Sequence, residues 1–134
     1  MPKEFPLESA GFHPFGELIG LEFTACADGR STCVLEVTDR LLNPHRVAHG
    51  GALYSMADTG MGGALYTMLE ADELCSTVEI KISYFRPVAS GRLTCETTVI
   101  NKTRSLAYLE SEIRNDGNLV ARATGTFFIF SATR

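Results

Sequence analysis

Between Gly51 and Leu69 the chain runs for about five helical turns with one charged side chain, Asp58. Leu53, Met56, Ala57, Met61, Ala64, Leu65 and Met68 point almost all round the helical axis. A helix that is apolar on every side is buried on every side. In a chain of 134 residues, the remaining sequence must form whatever wraps it.

That remainder alternates with strand period. In "GLEFTAC" Leu21, Phe23 and Ala25 oppose Glu22 and Thr24, and in "STCVLEVT" Cys33, Leu35 and Val37 share a face. Asp28-Gly29 predicts a hairpin turn between these two runs. Residues 40–48 predict a loop, since Pro44 discourages regular structure there. After the helix, "STVEIKISYF" places Val78, Ile80, Ile82 and Tyr84 on one face. "LTCETTVI", "LAYLESEI" and "LVARATGTFFIF" follow, joined by short turns that include Asp116-Gly117-Asn118. Long strands with short connections pair antiparallel. The expected fold is α+β: one long central helix wrapped by a curved antiparallel sheet of five or six strands, in a single domain over residues 1–134. Residues 1–19, rich in Pro, Gly and Phe, are expected to wrap the surface with one short helical turn. One face of the helix is left for a second copy of the chain to cover.

Composition narrows the partners. Twelve basic and 16 acidic residues give a net charge of -4, which lacks the basic footprint of a nucleic-acid binder. The opening "MPKEFPLESAGFHPFG" has no apolar core of a signal peptide, and no apolar run reaches the length of a membrane helix. Cys26, Cys33, Cys75 and Cys95 form no C-x-x-C pair. They read as reduced thiols with no metal site, which places the protein in the cytoplasm.

The chemistry concentrates at residues 43–62. Gly50 and Gly51 stand at the helix start, where backbone N–H groups lack internal partners and favour an anion or a developing oxyanion. A loop needing positive φ would explain the glycine pair equally well. His49 is read either as orienting that loop or as polarising a ligand, and Asn43 as holding the loop by its amide. His13 and His45 read as structural. Asp58 has no Lys or Arg at i±3 or i±4; helical spacing puts Tyr54, Ser55, Met61 and Gly62 on its face. Ser55, Thr77 or a backbone N–H would satisfy a structural acid, yet an unpaired acid on a buried helix is the better candidate for a general base. Gly60, Gly62 and Gly63 then mark places where another backbone or a ligand comes close.

The run from Asn43 through His49-Gly50-Gly51 to Asp58, with "GELIGLEF" upstream and "TVEIKISYFRPV" and "NKTRSLAYLESEIRNDGNLVARATGTFFIF" downstream, resembles the hotdog-fold acyl-CoA thioesterases, in particular the phenylacetate-pathway type. The resemblance covers nearly the whole chain after the first dozen residues. It implies that Asp58 activates water or attacks the thioester, that the Gly50 N–H is the oxyanion donor with Gly51 beside it, and that His49 and Asn43 shape the pocket. Thr77 would help position the water. Lys102, Arg104 and Ser105, in the turn that often meets the CoA phosphates and pantetheine, and Arg86 would contact substrate. No cofactor is implied, since CoA is part of the substrate. Arg46 and Thr103 stand where the family often carries glycine. The resembled family works as dimers that pair into tetramers.

Three readings follow. The first is a thioester hydrolase, whose reaction uses both an oxyanion donor and a base. The second is a non-catalytic acyl-CoA-binding module on the same fold; such a binder has no need of Asp58. A dehydratase using His49 and Asp58 ranks third, because the chain lacks that family's helix Glu and Pro-Gly-rich helix start. Geometry adds an expectation of its own. Gly50 and Asp58 lie about 12 Å apart along one helix, too far to serve one reacting centre, so two antiparallel copies should share each site.

Overall fold

The computed structural model describes residues 3, 5–7 and 11–132. A short helix α1 (Pro14–Ile19) precedes strands β1 (Glu22–Ala27) and β2 (Arg30–Glu36). A 3-10 turn at Asp39–Leu41 and a loop lead into the long helix α2 (Gly50–Tyr66). Strands β3 (Glu73–Tyr84), β4 (Arg92–Lys102), β5 (Leu106–Asn115) and β6 (Asn118–Ser131) follow. All six strands form one antiparallel sheet in the order β1-β2-β4-β5-β6-β3, curled over α2. This is the hotdog arrangement, with six strands.

Local chemistry explains the elements. Asp28-Gly29 and Asp116-Gly117 turn their hairpins with positive φ at both residues: 54° and 76° in the first, 51° and 81° in the second. α1 starts at Pro14, is capped by His13 Nδ1 accepting from the Gly16 N–H at 3.0 Å, and ends at Gly20 with φ 84°. Arg46 holds φ 66° in the loop before α2. That left-handed turn accounts for the glycine often found there. Thr103 acts through its side chain instead. Its hydroxyl accepts from the Leu106 N–H at 3.1 Å and closes the β4–β5 turn.

The core lies between α2 and the concave face of the sheet. Leu53 and Met56 pack with Leu35, Leu93, Ile113 and Val120. Ala57, Met61 and Leu65 pack with Leu109, Ala123, Phe127 and Ile129. Two helix glycines allow this approach. A Cβ at Gly60 would come within 2.8 Å of Thr97 Oγ1, and one at Gly63 within 2.6 Å of the Phe23 ring. Sheet side chains, and neither a ligand nor another backbone, account for those two glycines.

The burial expected from the sequence is corrected in three places. α2 is not covered all round: Tyr54, Ser55, Asp58, Thr59, Gly62 and Tyr66 form a stripe that the sheet leaves partly open. In β3, Val78 does not join Ile80 and Ile82. It is the extra residue of a bulge between Thr77 and Glu79 and is 60% exposed. In β1, a bulge at Thr24 turns Cys26, not Ala25, toward the helix, where its thiol donates to the Gly63 carbonyl at 3.1 Å. Each bulge adds one residue and swaps the inward phase of everything beyond it. The four cysteines are free, with Cys33 and Cys95 buried.

Candidate active site

Two clusters of sequence-marked residues sit on α2, one at its start and one at its middle. At the start, His49 is the N-cap: its Nδ1 accepts from the Gly51 N–H at 2.8 Å. That bond leaves the imidazole proton on Nε2 and engages the Gly51 donor. The Gly50 N–H takes no partner among the described residues. The Gly50 carbonyl accepts from the Tyr84 hydroxyl at 2.7 Å. A Cβ at Gly50 would approach that ring and hydroxyl to 3.1 Å, so a larger residue there fits only if the tip of the β3 tyrosine shifts by a few tenths of an ångström. Burial, with Tyr54 nearby, raises the Tyr84 phenol above its usual value and keeps it a donor. Tyr84 is a site residue that the helix-start motif does not reveal. Only its place at the end of a long alternating strand points to it.

The loop before α2 is held by Asn43. Its Oδ1 accepts from the backbone N–H of His45 at 2.9 Å and of Val47 at 3.4 Å. Asn43, Gly50, Tyr84 and Arg86 line a cavity of about 310 Å³. His49 and Gly51 face a different hollow, of about 200 Å³, between α2 and α1.

Asp58 lies two turns along, half-buried. Thr77 Oγ1 donates to its Oδ1 at 2.8 Å. No other described group bonds the carboxylate. Ser55, the other expected partner, donates instead to the Gly51 carbonyl at 2.8 Å. Asp58 and Thr77 line a cavity of about 280 Å³, with Gly62 beside them and aromatic rings from Phe5, Phe12, Phe23, Tyr66 and Phe127 around it. A Cβ added at Gly62 would meet nothing within 4 Å, so the packing of the described residues does not account for this glycine. Cys75 borders the same cavity, and burial raises its thiol above the usual value. Among the described residues no three His, Cys, Asp or Glu side chains converge on a metal position.

Within one chain the structure therefore brings Asp58 to Thr77, and Asn43 and Arg86 to Gly50, but not the two groups to each other. The basic turn lies elsewhere again. Lys102, Ala107, Phe127 and Thr77 form one row across β4, β5, β6 and β3, which places Lys102 about 14 Å from Thr77 across three strand spacings. Arg104 and Ser105 continue past it in the turn.

A free N–H at a glycine-lined helix start and a lone carboxylate over an apolar hollow are the two elements needed to attack a carbonyl. Comparison with known proteins agrees with this chemistry. A model of the thioesterase superfamily matches residues 45–121. The 1,4-dihydroxy-2-naphthoyl-CoA hydrolase of Listeria monocytogenes is 25% identical over 100 residues, covering 75% of this chain and 81% of that protein. Among solved structures, thioesterase HI1161 of Haemophilus influenzae superposes with a TM-score of 0.91 at 25% identity, covering 98% of this chain and 95% of that one. A variant of the phenylacetic acid degradation protein PaaI of Thermus thermophilus superposes with a TM-score of 0.81 at 33% identity, covering 87% of this chain and 98% of that one. With the family model spanning the helix and the strands that carry Asp58, Thr77 and Gly50, this chain belongs to the thioesterase superfamily.

Proposed function

We propose that the protein hydrolyses an acyl-CoA thioester to the free acid and CoA. The observation that carries this reading is the Asp58 carboxylate: half-buried, bonded by Thr77 alone among the described residues, and facing an apolar cavity. Asp58 acts as general base toward water, or as nucleophile. Thr77 holds one carboxylate oxygen and leaves the other for the reaction. The Gly50 N–H, backed by the helix dipole, stabilises the charge that develops on the thioester oxygen. The reaction requires no cofactor.

The site is completed by a second copy. β3 is an edge strand twelve residues long, paired on one side only, and Val78 stands out from it. Such an edge is normally covered. Pairing two β3 edges about a two-fold axis sets the two α2 helices antiparallel along their open stripes. Gly50 of one copy then lies beside Asp58 of the other. On the outer sheet face, Leu74, Leu106, Tyr108 and Phe128 are exposed, and the rings of Phe128 and Phe130 stack at 5.8 Å. This patch supports the pairing of dimers into a tetramer. Arg86, Lys102, Arg104 and Ser105 are assigned to the CoA moiety. No described helix is long and apolar enough to cross a membrane, and four free thiols support a cytoplasmic location.

The test is release of CoA, followed with a thiol reagent, from acetyl-, hexanoyl-, decanoyl- and phenylacetyl-CoA. Turnover by the wild type that Asp58→Asn abolishes supports the reading. Saturable binding of these thioesters without CoA release would assign the chain to non-catalytic binding instead.

A further inference from the structure

The segment before α1 forms part of the cavity that holds Asp58, although nothing in its composition marks it as functional. We propose that Phe5 and Phe12 are specificity-determining residues: they close the far end of the acyl pocket and limit the size of the acyl group. The proposal rests on the thioesterase reading and adds what bounds its substrate.

The cavity follows one stripe of α2. Asp58, Gly62 and Tyr66 are spaced at i, i+4 and i+8, so the hollow extends about 12 Å along the helix from the carboxylate. Gly62 leaves the middle of its floor open. At the far end stand Tyr66 and Phe23, and Phe5 packs on both, with ring centroids 4.4 Å from Phe23 and 5.5 Å from Tyr66. Phe12 meets the same cluster edge-on, 5.4 Å from Phe5 and 6.3 Å from Tyr66.

Both rings are held by anchors next to them in the chain. On the Phe5 side, the Lys3 N–H donates to the Leu69 carbonyl at 3.1 Å, and Lys3 Nζ donates to the Glu73 carbonyl at 2.6 Å. The same ammonium lies 5.0 Å from the Tyr66 ring centroid. On the Phe12 side, the Gly11 N–H donates to Glu17 Oε2 at 2.6 Å, and His13 caps α1. Two aromatic side chains, tethered to the connection from α2 into β3 and to α1, thus bound a hollow whose other end is the proposed base. Phe12 remains 44% exposed while lining that hollow, which leaves apolar surface for an acyl group to cover.

The experiment measures kcat/KM for butanoyl-, hexanoyl-, decanoyl- and dodecanoyl-CoA with the wild type, Phe5→Ala, Phe12→Ala and Phe12→Trp. Each variant's assembly is checked by size-exclusion chromatography. Opening the wall should raise the ratio of decanoyl to butanoyl kcat/KM by about tenfold or more. Phe12→Trp, which keeps an aromatic ring and the packing, should lower it. Assembled variants whose ratios stay within twofold of the wild type would overturn the wall assignment and leave the thioesterase reading standing. If an Ala variant does not assemble, Phe12→Trp decides alone: a falling ratio supports the wall and an unchanged one refutes it. A wild type that cleaves none of the series overturns the wall, and one that also leaves phenylacetyl-CoA intact sinks the thioesterase reading with it.

Discussion

Thr77 donates to Asp58 Oδ1 across 2.8 Å, and the bulge at Val78 makes that bond possible. Beyond the bulge, Ile80, Ile82 and Tyr84 face the helix. Before it, Cys75 and Thr77 do. An unbroken strand that turned Ile80 and Ile82 inward would carry Thr77 outward and present Val78 to Asp58. The same extra residue lets Tyr84, on the inward phase after the bulge, reach the Gly50 carbonyl. One backbone irregularity therefore serves both clusters of the site.

The first prediction concerns this pair. In Asp58→Asn the amide oxygen still accepts from Thr77, so the fold should persist while kcat falls by about 10²-fold or more, with a smaller change in KM. Thr77→Val keeps the β-branched shape and removes the donor. It should lower kcat by about tenfold, the modest cost of a base held less firmly. Steady-state assays on variants with wild-type melting temperatures check both. Near-wild-type turnover by Asp58→Asn would remove Asp58 from the mechanism.

Gly62 sets stability against activity. It lies in the helix interior, and a Cβ there meets nothing within 4 Å. Gly62→Ala should therefore stabilise the helix by about 1 kcal/mol, raising Tm by a few degrees. The added methyl projects into the Asp58 cavity, so kcat/KM should fall for the bulkiest acyl groups first. Calorimetry and a substrate series read the two effects separately. A stabilised variant with an unchanged substrate profile would show that acyl groups do not use that floor.

Charge reversal at Lys102 and Arg104 should raise KM for acyl-CoA severalfold at low ionic strength. It should leave kcat with a short thioester lacking the nucleotide unchanged. The CoA phosphates are strongly anionic, and their attraction to an exposed turn is screened by salt. The KM difference should shrink as salt rises toward physiological strength and beyond. Equal KM values at low salt would move the CoA site away from this turn.

Cys26 gives a pH test of the β1 bulge. Half-burial pushes its pKa up to about 11, and its thiol donates to the Gly63 carbonyl. A raised thiol pKa favours the neutral form in the folded state. Its contribution is complete below the unfolded value and is lost as pH rises from there through the folded value. Alkylation of Cys26 in the native protein should accordingly be slow at pH 8 and accelerate only toward pH 11. Rapid labelling at pH 8 would mean that the thiol does not point at the helix.

Some of this was legible in residues and some was not, for physical reasons. The helix was legible because a single charge in an apolar run has few foldable meanings, and the hairpins because Asp-Gly carries its own turn geometry. Asp58 stood out for want of a partner at helical spacing. The bulges at Thr24 and Val78 left no such mark. Val78 is apolar and β-branched, and alternation alone counts it as inward. His49 was ambiguous, since a cap and a ligand contact ask for the same residue at the same place; the bond from the Gly51 N–H establishes the cap. Phe5 and Phe12 lie in a stretch without periodicity, so nothing local tied them to a cavity that β1, α2 and β3 build from distant segments.

The last prediction tests whether each site is shared. Gly50 and Asp58 line separate cavities in one chain and lie about 12 Å apart along a rigid helix. An oxyanion donor and a base must both come within about 3–3.5 Å of the reacting atoms. Antiparallel α2 helices across a two-fold axis meet that requirement and make two sites, each with Gly50 from one copy and Asp58 from the other. Mixing Asp58→Asn with Gly50→Pro separates the two arrangements. Proline suits the first helical position and deletes the N–H, and the Tyr84 ring tip, 3.1 Å from a Cβ at Gly50, must give way; size exclusion verifies that the variant assembles. Each variant alone should be nearly inactive. A hybrid dimer carries one doubly damaged site and one intact site. With equal mixing and full exchange, half of the dimers are hybrids, so activity should return to roughly a quarter of wild type. Verified exchange without recovery would place both groups of each working site in a single chain and overturn the two-fold arrangement.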